Sequence, residues 1–238
     1  MIAVDIGNTC LHFARIREGR VKKIANLATA SVTQEAIRNI IKKNSRDVFV
    51  VCSVVPGITR FFSGRKNVLI VGKDIKVPIK SFYDKKQVGQ DRLVGAYAAK
   101  KIFPGARLVL DFGTAITLDI ISKKGYYQGG IILPGIGSTL KTFSNCALLP
   151  RHIDFSITRK LIPQNTRDSI NCGLEEGFAF MINGLVKKYK KKLNIKPKDN
   201  IVVTGGEGSF IMPKFNFVYT YEPFLVIKGL WLLSESAG

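Results

Sequence analysis

The sequence predicts an α/β protein made of two related lobes. Two stretches share one pattern, in which an apolar strand runs into an aspartate, one further residue, a glycine and a second strand. The first stretch is I-A-V-D-I-G-N-T at residues 2–9, and the second is L-V-L-D-F-G-T-A at residues 108–115. Because strand-length apolar runs and segments of helical periodicity occur in both halves, we expect each lobe to be a mixed sheet flanked by helices.

The first half of the chain predicts a meander of three strands followed by helices and further strands. Residues 2–6 form a buried strand, and the alternating runs 9–16 and 20–27 pair with it in turn. The later elements are a helix capped by Thr33 and ending near Asn44, a strand at 48–54, a short helix after Pro56, a strand at 67–71 and a helix from Asp91 to about 103. Pro104-Gly105 ends that helix, so the predicted lobes are residues 1–104 and 105–238.

The second half repeats the opening. Its predicted elements are strands ending at Asp111 and covering 116–121 and 126–133, a helix at about 138–145, a loop at 150–165, a long helix at 167–193, strands at 201–203 and 215–220, and a helix from Glu222-Pro223 through Leu233. Asn165 or Thr166 is the expected cap of the long helix.

Length and composition favour a globular cytoplasmic protein. The chain has 238 residues, 46% of them hydrophobic, yet no apolar run approaches the length of a membrane span. The N-terminal apolar stretch has no basic region before it, so we interpret it as a strand rather than a signal peptide. The four cysteines are far apart and there are only two histidines, which favours reduced thiols and argues against a zinc site.

The net charge of +20 permits attraction of polyanions. The lysines are nevertheless spread along the chain, and the dense run at 187–198 falls where a helix should end, where cations complement the helix dipole. No RNA-binding aromatic signature or zinc-finger spacing accompanies the charge, so a nucleic-acid partner is not expected.

The repeated loops suit a metal-bound polyphosphate. The aspartate can hold a hard cation, while backbone N–H groups and the threonine hydroxyl face phosphate oxygens. A plain hairpin corner remains the alternative for either loop taken alone. Asp111-Phe112-Gly113 spells the protein-kinase D-F-G, but the other kinase signatures and a P-loop are absent from the sequence.

Two further stretches are candidates for chemistry. In Gly89-Gln90-Asp91-Arg92, the aspartate at the helix start is predicted to be an N-cap and is also placed to act as a base, kept ionised by the helix N-terminus. Arg92 beside it offers a fork for a carboxylate or a phosphate. The glycines of T-G-G-E-G at 204–208 would either let the backbone lie against an adenine and ribose or simply form a strand-to-helix turn.

Together these stretches resemble the type III pantothenate kinases, also called the Bvg accessory factor family. The motifs that carry the resemblance, in chain order, are D-I-G-N-T at 5–9, G-Q-D-R at 89–92, D-F-G-T-A-I-T-L-D at 111–119, G-G-I-I-L-P-G at 129–135, A-L-L-P at 147–150, N-T-R-D-S-I-N-C-G at 165–173, T-G-G at 204–206 and G-L at 229–230. They extend over nearly the whole chain.

The resemblance implies two RNase H-like lobes of the acetate kinase–Hsc70–actin superfamily, with the nucleotide site between them. It implies ATP-dependent phosphorylation of pantothenate to 4'-phosphopantothenate, the first step of coenzyme A biosynthesis. A homodimer with the pantothenate site at its interface, a monovalent cation (potassium or ammonium) and magnesium with ATP follow in the same way. The competing hypothesis is a non-catalytic regulator or nucleic-acid-associated factor on the same fold.

The resemblance also implies roles for individual residues. Those expected to bind ATP are Asp5, Ile6, Gly7, Asn8, Thr9, Cys10, Leu11, His12 and Thr114. Those expected to bind pantothenate are Tyr83, Gly89, Gln90, Asp91, Arg92 and Thr166. Asp91 would accept the hydroxyl proton, and Asp111 would hold the monovalent cation.

Overall fold

The computed structural model describes residues 1–84, 87–143, 155–157 and 162–236. The elements of the first half are β1 (Ile2–Ile6), β2 (Cys10–Arg17), β3 (Arg20–Ala28), α1 (Gln34–Lys43), β4 (Phe49–Ser53), α2 (Pro56–Thr59), β5 (Val68–Ile70) and α3 (Gln90–Ile102). Those of the second half are β6 (Ala106–Phe112), β7 (Ala115–Ile121), β8 (Tyr127–Pro134), α4 (Ile136–Phe143), α5 (Thr166–Lys192), β9 (Asn200–Thr204), β10 (Thr220–Tyr221) and α6 (Leu225–Glu235), with short 3₁₀ turns at Glu207–Phe210 and Met212–Lys214.

The first sheet has the strand order β3-β2-β1-β4-β5. Strands β1, β2 and β3 form the predicted antiparallel meander, while β4 runs parallel to both β1 and β5. Both neighbours of β1 are strands, and four of its five residues are buried, which explains its nearly continuous apolar sequence. In the β1–β4 register Asp5 lies opposite Cys52, so these two side chains emerge on the same face of the sheet.

The second sheet has the order β10-β9-β6-β7-β8. Strand β9 is parallel to β6 and to β10. The neighbours β6 and β7 are joined by Gly113 and Thr114 alone, a connection that only an antiparallel pair allows. Two mixed five-stranded sheets flanked by helices confirm the predicted α/β class.

The chain divides into two compact units. The first contains residues 1–104, 119–129 and 224–238, and the second contains residues 105–118 and 130–223. The predicted lobes, 1–104 and 105–238, remain a prediction. Throughout the described part of the chain, no helix combines the length and the apolar character needed to cross a membrane.

Helices α3 and α6 pack against each other in the first unit. Residues 94–99 of α3 are all buried, and α6 also contacts β1 and β4. Gly229 makes this packing possible, since a Cβ atom there would lie 2.6 Å from Cγ1 of Val94. The small residue of the G-L motif thus brings α6 close to the helix that carries Asp91.

Two sequence predictions are wrong. Asp91 is not the N-cap of α3: Gly89 is the cap, and Asp91 is the second helical residue. The predicted strand at 215–220 is reduced to Thr220–Tyr221, because the aromatic side chains before it stack on one another instead of pairing their backbone with a neighbouring strand. The rings of Phe215 and Phe217 are stacked 4.9 Å apart, and Phe215 also packs 5.9 Å from Phe112.

Other elements lie within a few residues of their predicted bounds. The helix expected at 138–145 is observed over Ile136–Phe143, and its last two predicted positions lie outside the described residues. The A-L-L-P motif at 147–150, Cys146 and His152 lie outside them as well.

Candidate active site

The loop between β1 and β2 is held in place from β3 and the segment after it. The N–H of Gly7 donates to the carbonyl of Cys10 at 3.0 Å, which closes the turn. The hydroxyl of Thr29 donates to the carbonyl of Gly7 at 2.7 Å, and its N–H donates to the carbonyl of Thr9 at 2.9 Å. Because Thr29 donates to the carbonyls of Gly7 and Thr9, the loop has a defined shape, in which Asn8 and Thr9 are exposed.

The predicted ATP-binding residues 5–12 differ in exposure within this hairpin, and Asp5, Gly7 and Cys10 are half-buried. Ile6 and Leu11 are fully buried in the core, so their side chains are not available to a nucleotide. Asn8, Thr9 and His12 are exposed, and Nδ1 of His12 lies 3.0 Å from Oδ1 of Asn26 on β3. Any ATP contact of the buried pair would therefore be made by the backbone.

A cluster of acidic and thiol groups lies at the carboxyl ends of β1 and β4. Cys52 is completely buried, and burial raises the pKa of its thiol well above the usual range. The negative charges of Asp5 and Asp91 raise this pKa further, because both carboxylates would repel a thiolate at this position. The structure thus brings the aspartate of the first hairpin and the aspartate of α3 to the same buried thiol.

Asp91 is held at the start of α3 by contacts on both sides. Its Oδ1 accepts the N–H of Arg92 at 2.8 Å. On the other side it approaches Gly89 so closely that a Cβ atom there would collide with Oδ1 of Asp91. The observed position of the Asp91 carboxylate therefore requires glycine at position 89, in addition to the role of Gly89 as the helix cap.

The pKa of Asp91 is raised above its usual value. Burial is the main cause, and the negative charge of Asp119 adds to it, while the N–H and guanidinium of Arg92 work in the opposite direction. The sequence predicted that the helix N-terminus would keep this carboxylate ionised; in the folded protein desolvation outweighs that effect. A carboxylate with a raised pKa is a better proton acceptor at neutral pH than an ordinary aspartate.

Arg92 does not extend into solvent but pairs with Asp119 of β7. Oδ1 of Asp119 accepts both Nε of Arg92 at 2.9 Å and Nη2 at 2.6 Å. The hydroxyl of Tyr127 donates to the same oxygen at 2.8 Å. Burial disfavours the charge of Arg92, but the hydrogen bond and ion pair to Asp119 outweigh it and raise the pKa of Arg92.

Tyr83 and Gln90 complete this part of the first unit. The ring of Tyr83 lies against Gly129, where a Cβ atom would come within 2.9 Å of Cδ2, and the guanidinium carbon of Arg92 lies 5.5 Å from its centroid. The side chain of Gln90 packs in the same way on Gly72. A Cβ atom on Gly72 would lie 3.0 Å from Cδ of Gln90. Both glycines also have positive φ, so each position favours glycine for two reasons: its backbone conformation and the lack of space for a side chain.

The second unit contains the other aspartate loop. Asp111 lies opposite Thr204 of β9 in the β6–β9 register, and Thr114 is exposed at the turn. The carbonyl of Thr114 accepts the N–H of Gly135 at 3.0 Å and the hydroxyl of Ser138 at 2.7 Å. The start of α4 thus holds this loop as Thr29 holds the first.

The glycines at 205 and 208 have a structural explanation. A Cβ on Gly205 would collide with the carbonyl oxygen of Phe112, and one on Gly208 would lie 2.9 Å from the Phe112 ring. Around Gly206, by contrast, no atom of the described residues lies within 4 Å of where a Cβ would be. Of the three glycines, only Gly206 leaves room for an approaching ligand.

Thr166 begins α5 on the edge of an open groove of about 660 Å³ in the second unit. Asn165 caps the helix, its Oδ1 accepting the N–H of Asp168 at 2.9 Å. The groove is lined by Phe143, Gln164, Asn165, Thr166, Ser169, Ile170, Gly173 and Leu174. Thr166 is therefore exposed to a ligand of mixed polar and apolar character.

Sequence reasoning missed three residues of the first unit's cluster. Asp119 was part of a quoted motif without a role, Tyr127 was only a strand residue, and Cys52 was only an apolar position. A signal for Asp119 was present, since a carboxylate within the apolar run I-T-L-D-I-I must be paired if it is buried. Among the described residues no group of three or more His, Cys, Asp or Glu side chains is arranged to hold a metal ion.

A sequence model of the type III pantothenate kinase family matches residues 1–188. The type III pantothenate kinase of Sulfurihydrogenibium sp. (strain YO3AOP1) is 32% identical over 256 residues, covering 99% of this chain and 99% of the relative. That of Persephonella marina is 33% identical over 249 residues, covering 97% and 96%.

Solved structures agree on the fold. A Campylobacter jejuni protein assigned to the Baf family of transcriptional activators superposes with a TM-score of 0.66 at 23% identity, covering 100% of this chain and 98% of that one. The activator of 2-hydroxyisocaproyl-CoA dehydratase from Clostridium difficile, solved with ADPNP, gives 0.56 at 14% identity, covering 100% and 96%. The sequence match over most of the chain and the end-to-end relatives confirm the resemblance: this protein belongs to the type III pantothenate kinase family.

Proposed function

We propose that this chain transfers a phosphoryl group from ATP to the primary hydroxyl of pantothenate, and that Asp91 accepts the hydroxyl proton. Membership in the type III pantothenate kinase family supports the reaction and its two substrates. The observation that carries the residue assignment is the partly buried Asp91 carboxylate, which shares its surroundings with Asp5 and has a raised pKa.

Phosphoryl transfer demands positioning and charge neutralisation more than covalent help from the protein. A carboxylate at the attacking hydroxyl contributes about 10²–10⁴-fold as general base. Asp91 suits this role because the Arg92 N–H donates to its Oδ1, and because Gly89 has no side chain in the space that this oxygen occupies. Asp91 thus holds its acceptor oxygen in one place before the substrate arrives.

The β1–β2 loop is the proposed cradle for the phosphates. Thr29 engages the carbonyls of Gly7 and Thr9, so the exposed segment at 8–9 can turn its N–H groups toward an anion. Asp5 fits the requirement of Mg²⁺ for oxygen ligands, and Mg²⁺ needs only one or two carboxylates when phosphates supply the rest. When bound, the metal neutralises charge on the transferring group.

Asp111 is the proposed ligand of a monovalent cation, and Thr114 the proposed ATP contact of the second unit. The hard oxygen of a carboxylate suits potassium, and the Asp111 position beside Thr204 adds a neighbouring residue that also carries oxygen. The rigid Thr114 turn, held by Gly135 and Ser138, supports a fixed nucleotide contact.

Pantothenate is proposed to contact Tyr83, residues 89–92 and Thr166. The first of these lie together in the first unit, where Arg92 and the Tyr83 ring are in contact. Thr166 belongs to the second unit and faces its own groove. The homodimer, the interfacial substrate site and the cytoplasmic location remain predictions from the family resemblance.

The test is ADP release from ATP and magnesium, with and without pantothenate, in potassium, ammonium and then sodium. We expect turnover that requires pantothenate and is much lower in sodium. Asp91→Asn should lack this turnover, whereas Asp74→Asn, which alters an aspartate that accepts the Ile70 N–H at 2.9 Å, should retain it. Salt-sensitive DNA binding without any pantothenate-dependent turnover would support the regulatory alternative instead.

A further inference from the structure

Asp119 is a buried carboxylate to which the family motifs assign no role in this chain. Its side chain is only 3% exposed, and that of its partner Arg92 is 8% exposed. A buried ion pair is weak evidence for stability, because the cost of removing both charges from water offsets their attraction. A role in orienting a functional group accounts better for its presence beside Asp91.

The hydrogen bonds of Asp119 define the plane of the Arg92 guanidinium. One oxygen receives two donors of that group, Nε at 2.9 Å and Nη2 at 2.6 Å, so the fork cannot rotate about its long axis without losing one of them. Tyr127 holds the same oxygen through its hydroxyl at 2.8 Å. Tyr127 thus holds Oδ1 of Asp119 in place, and this oxygen in turn orients Arg92.

Two neighbouring aromatic rings lie beside the guanidinium, with their centroids 6.2 Å apart. Its carbon lies 5.5 Å from the centroid of Tyr83 and 5.9 Å from that of Tyr127. Tyr83 is itself seated against Gly129, which has positive φ and no side chain to displace the ring. Asp119 therefore fixes the hydrogen-bonding edge of the guanidinium, and the two rings restrict its movement on one side.

The remaining donors of Arg92 suit a carboxylate. A guanidinium has five N–H groups; Asp119 receives two of them and Tyr83 accepts another, which leaves two terminal N–H groups for a planar anion. Because Arg92 and Asp119 together carry no net charge, the pair offers directed hydrogen bonds more than a positive field. A planar, singly charged carboxylate can be recognised in this way.

We propose that Asp119 is a positioning residue that holds Arg92 in the orientation that binds the carboxylate of the acceptor substrate. The inference rests on the proposed pantothenate kinase activity. Arg92 is placed on the acceptor side because it directly follows Asp91, the proposed base for the acceptor hydroxyl. Asp119 itself does not contact the substrate and acts through Arg92.

The test is Asp119→Asn, which keeps the size of the side chain and removes its charge. We expect the KM for pantothenate to rise at least about tenfold, the factor by which one well-placed hydrogen bond to a charged group changes binding. The KM for ATP should stay unchanged. Turnover of an uncharged pantothenate amide should change little, because that acceptor has no carboxylate for Arg92 to bind.

A double-mutant cycle separates positioning from general damage. If Asp119 acts through Arg92, then Asp119→Asn should add nothing to the pantothenate KM in an Arg92→Gln background. Asp47→Asn is the matched control: it removes the partner of another arginine, Arg15, from which Asp47 lies at 2.8 Å, and should leave acceptor discrimination unchanged. Additive effects in the cycle would overturn the proposal.

Tyr127→Phe keeps the test decisive if Asp119→Asn does not fold. It preserves both charges and removes one hydrogen bond to Oδ1 of Asp119. We expect a smaller rise in the pantothenate KM, about threefold, again with no change for the amide. Equal effects on both acceptors, or an effect on ATP instead, would contradict the inference, whereas a wild-type protein without pantothenate turnover would contradict the proposed function itself.

Discussion

The two aspartate loops share one sequence pattern but have different surroundings. In the first unit, three residues connect β1 to β2, and Asp5 lies opposite Cys52, a buried thiol that is also influenced by Asp91. In the second unit, two residues connect β6 to β7, and Asp111 lies opposite Thr204, a buried hydroxyl residue. Both loops are braced through their carbonyls, the first by Thr29 and the second from the start of α4.

The difference lies in what each aspartate faces across the sheet. The first unit gathers negative charge around a thiol whose pKa is raised by burial and by both carboxylates, which makes it costly to keep every group ionised. The second unit sets its aspartate beside an uncharged residue. The first arrangement suits proton transfer and metal-bound phosphates, and the second suits steady coordination of a cation. The proposed roles of the two aspartates therefore differ because their neighbours differ, although the motif is the same.

The largest expected effect is that of Asp91→Asn, which removes the proposed base from the acidic cluster. We expect kcat to fall by at least about 10²-fold. The fold should survive, since asparagine can still accept the Arg92 N–H that Asp91 accepts at 2.8 Å. Steady-state kinetics would measure kcat, and circular dichroism on the same preparation would show whether the fold is intact. Turnover near that of the wild type would contradict the proposed role of Asp91.

The pH dependence of kcat/KM should report the raised pKa of Asp91 in this cluster. Asp91 must be ionised to accept a proton, and burial raises its pKa from the ordinary value of 3.8. As the pH falls through this raised pKa, kcat/KM should drop about tenfold per pH unit, beginning at a higher pH than for an exposed aspartate. A pH profile that is flat down to pH 4 in a protein that remains folded would contradict the raised pKa.

Asp111→Asn should affect cation dependence more than chemistry. Losing the proposed charged ligand should raise the potassium concentration for half-maximal activity at least about tenfold. Asp5→Asn provides the contrast, since its effect should appear in the dependence on ATP and magnesium. If the two variants changed the same parameter, the distinction between the two loops would fail.

Gly135→Ala should disturb the second loop through its brace. A Cβ at this position would collide with the carbonyl of Gly113 and lie 2.7 Å from that of Thr114, so the turn must shift. We expect the KM for ATP to rise about three- to tenfold with little change in the KM for pantothenate. Gly184→Ala in α5 is the control: within the part of the chain that the structure describes, no atom lies within 4 Å of the new Cβ position. This substitution should stabilise the helix by about 0.5–1 kcal/mol.

The smallest expected effect is a gain in stability from Asp91→Asn. A carboxyl group with a raised pKa binds its proton more tightly when folded, so its stabilising contribution is complete at low pH and is lost as the pH rises through the folded-state pKa. Asparagine stays neutral and avoids that loss. At neutral pH the Tm should rise by a few degrees, with the difference from wild type disappearing toward pH 4; a lower Tm at neutral pH would contradict this account.

Local patterns were sufficient for most elements. The apolar run of β1, the alternation of β2 and the helical period of α5 appear in the sequence, because strand and helix periodicities depend on the order of neighbouring residues. The short-range motifs also located Asp5, Asp91 and Asp111 at the ends of elements. The alternating aromatics at 215–219 were misleading, since rings can be buried by stacking on each other as well as by lying on a sheet.

By itself, then, the sequence determined the fold class, the family and the main candidate residues, since each depends on motifs read along a continuous stretch. Only the tertiary structure decided that Arg92 pairs with Asp119, that Cys52 lies near two carboxylates, and that Gly89 and Gly135 leave space for a neighbour. These contacts join residues on different elements or depend on distances of a few ångströms. The pKa of Asp91 is of this second kind, because desolvation is a property of everything packed around the carboxylate and not of its place in the chain.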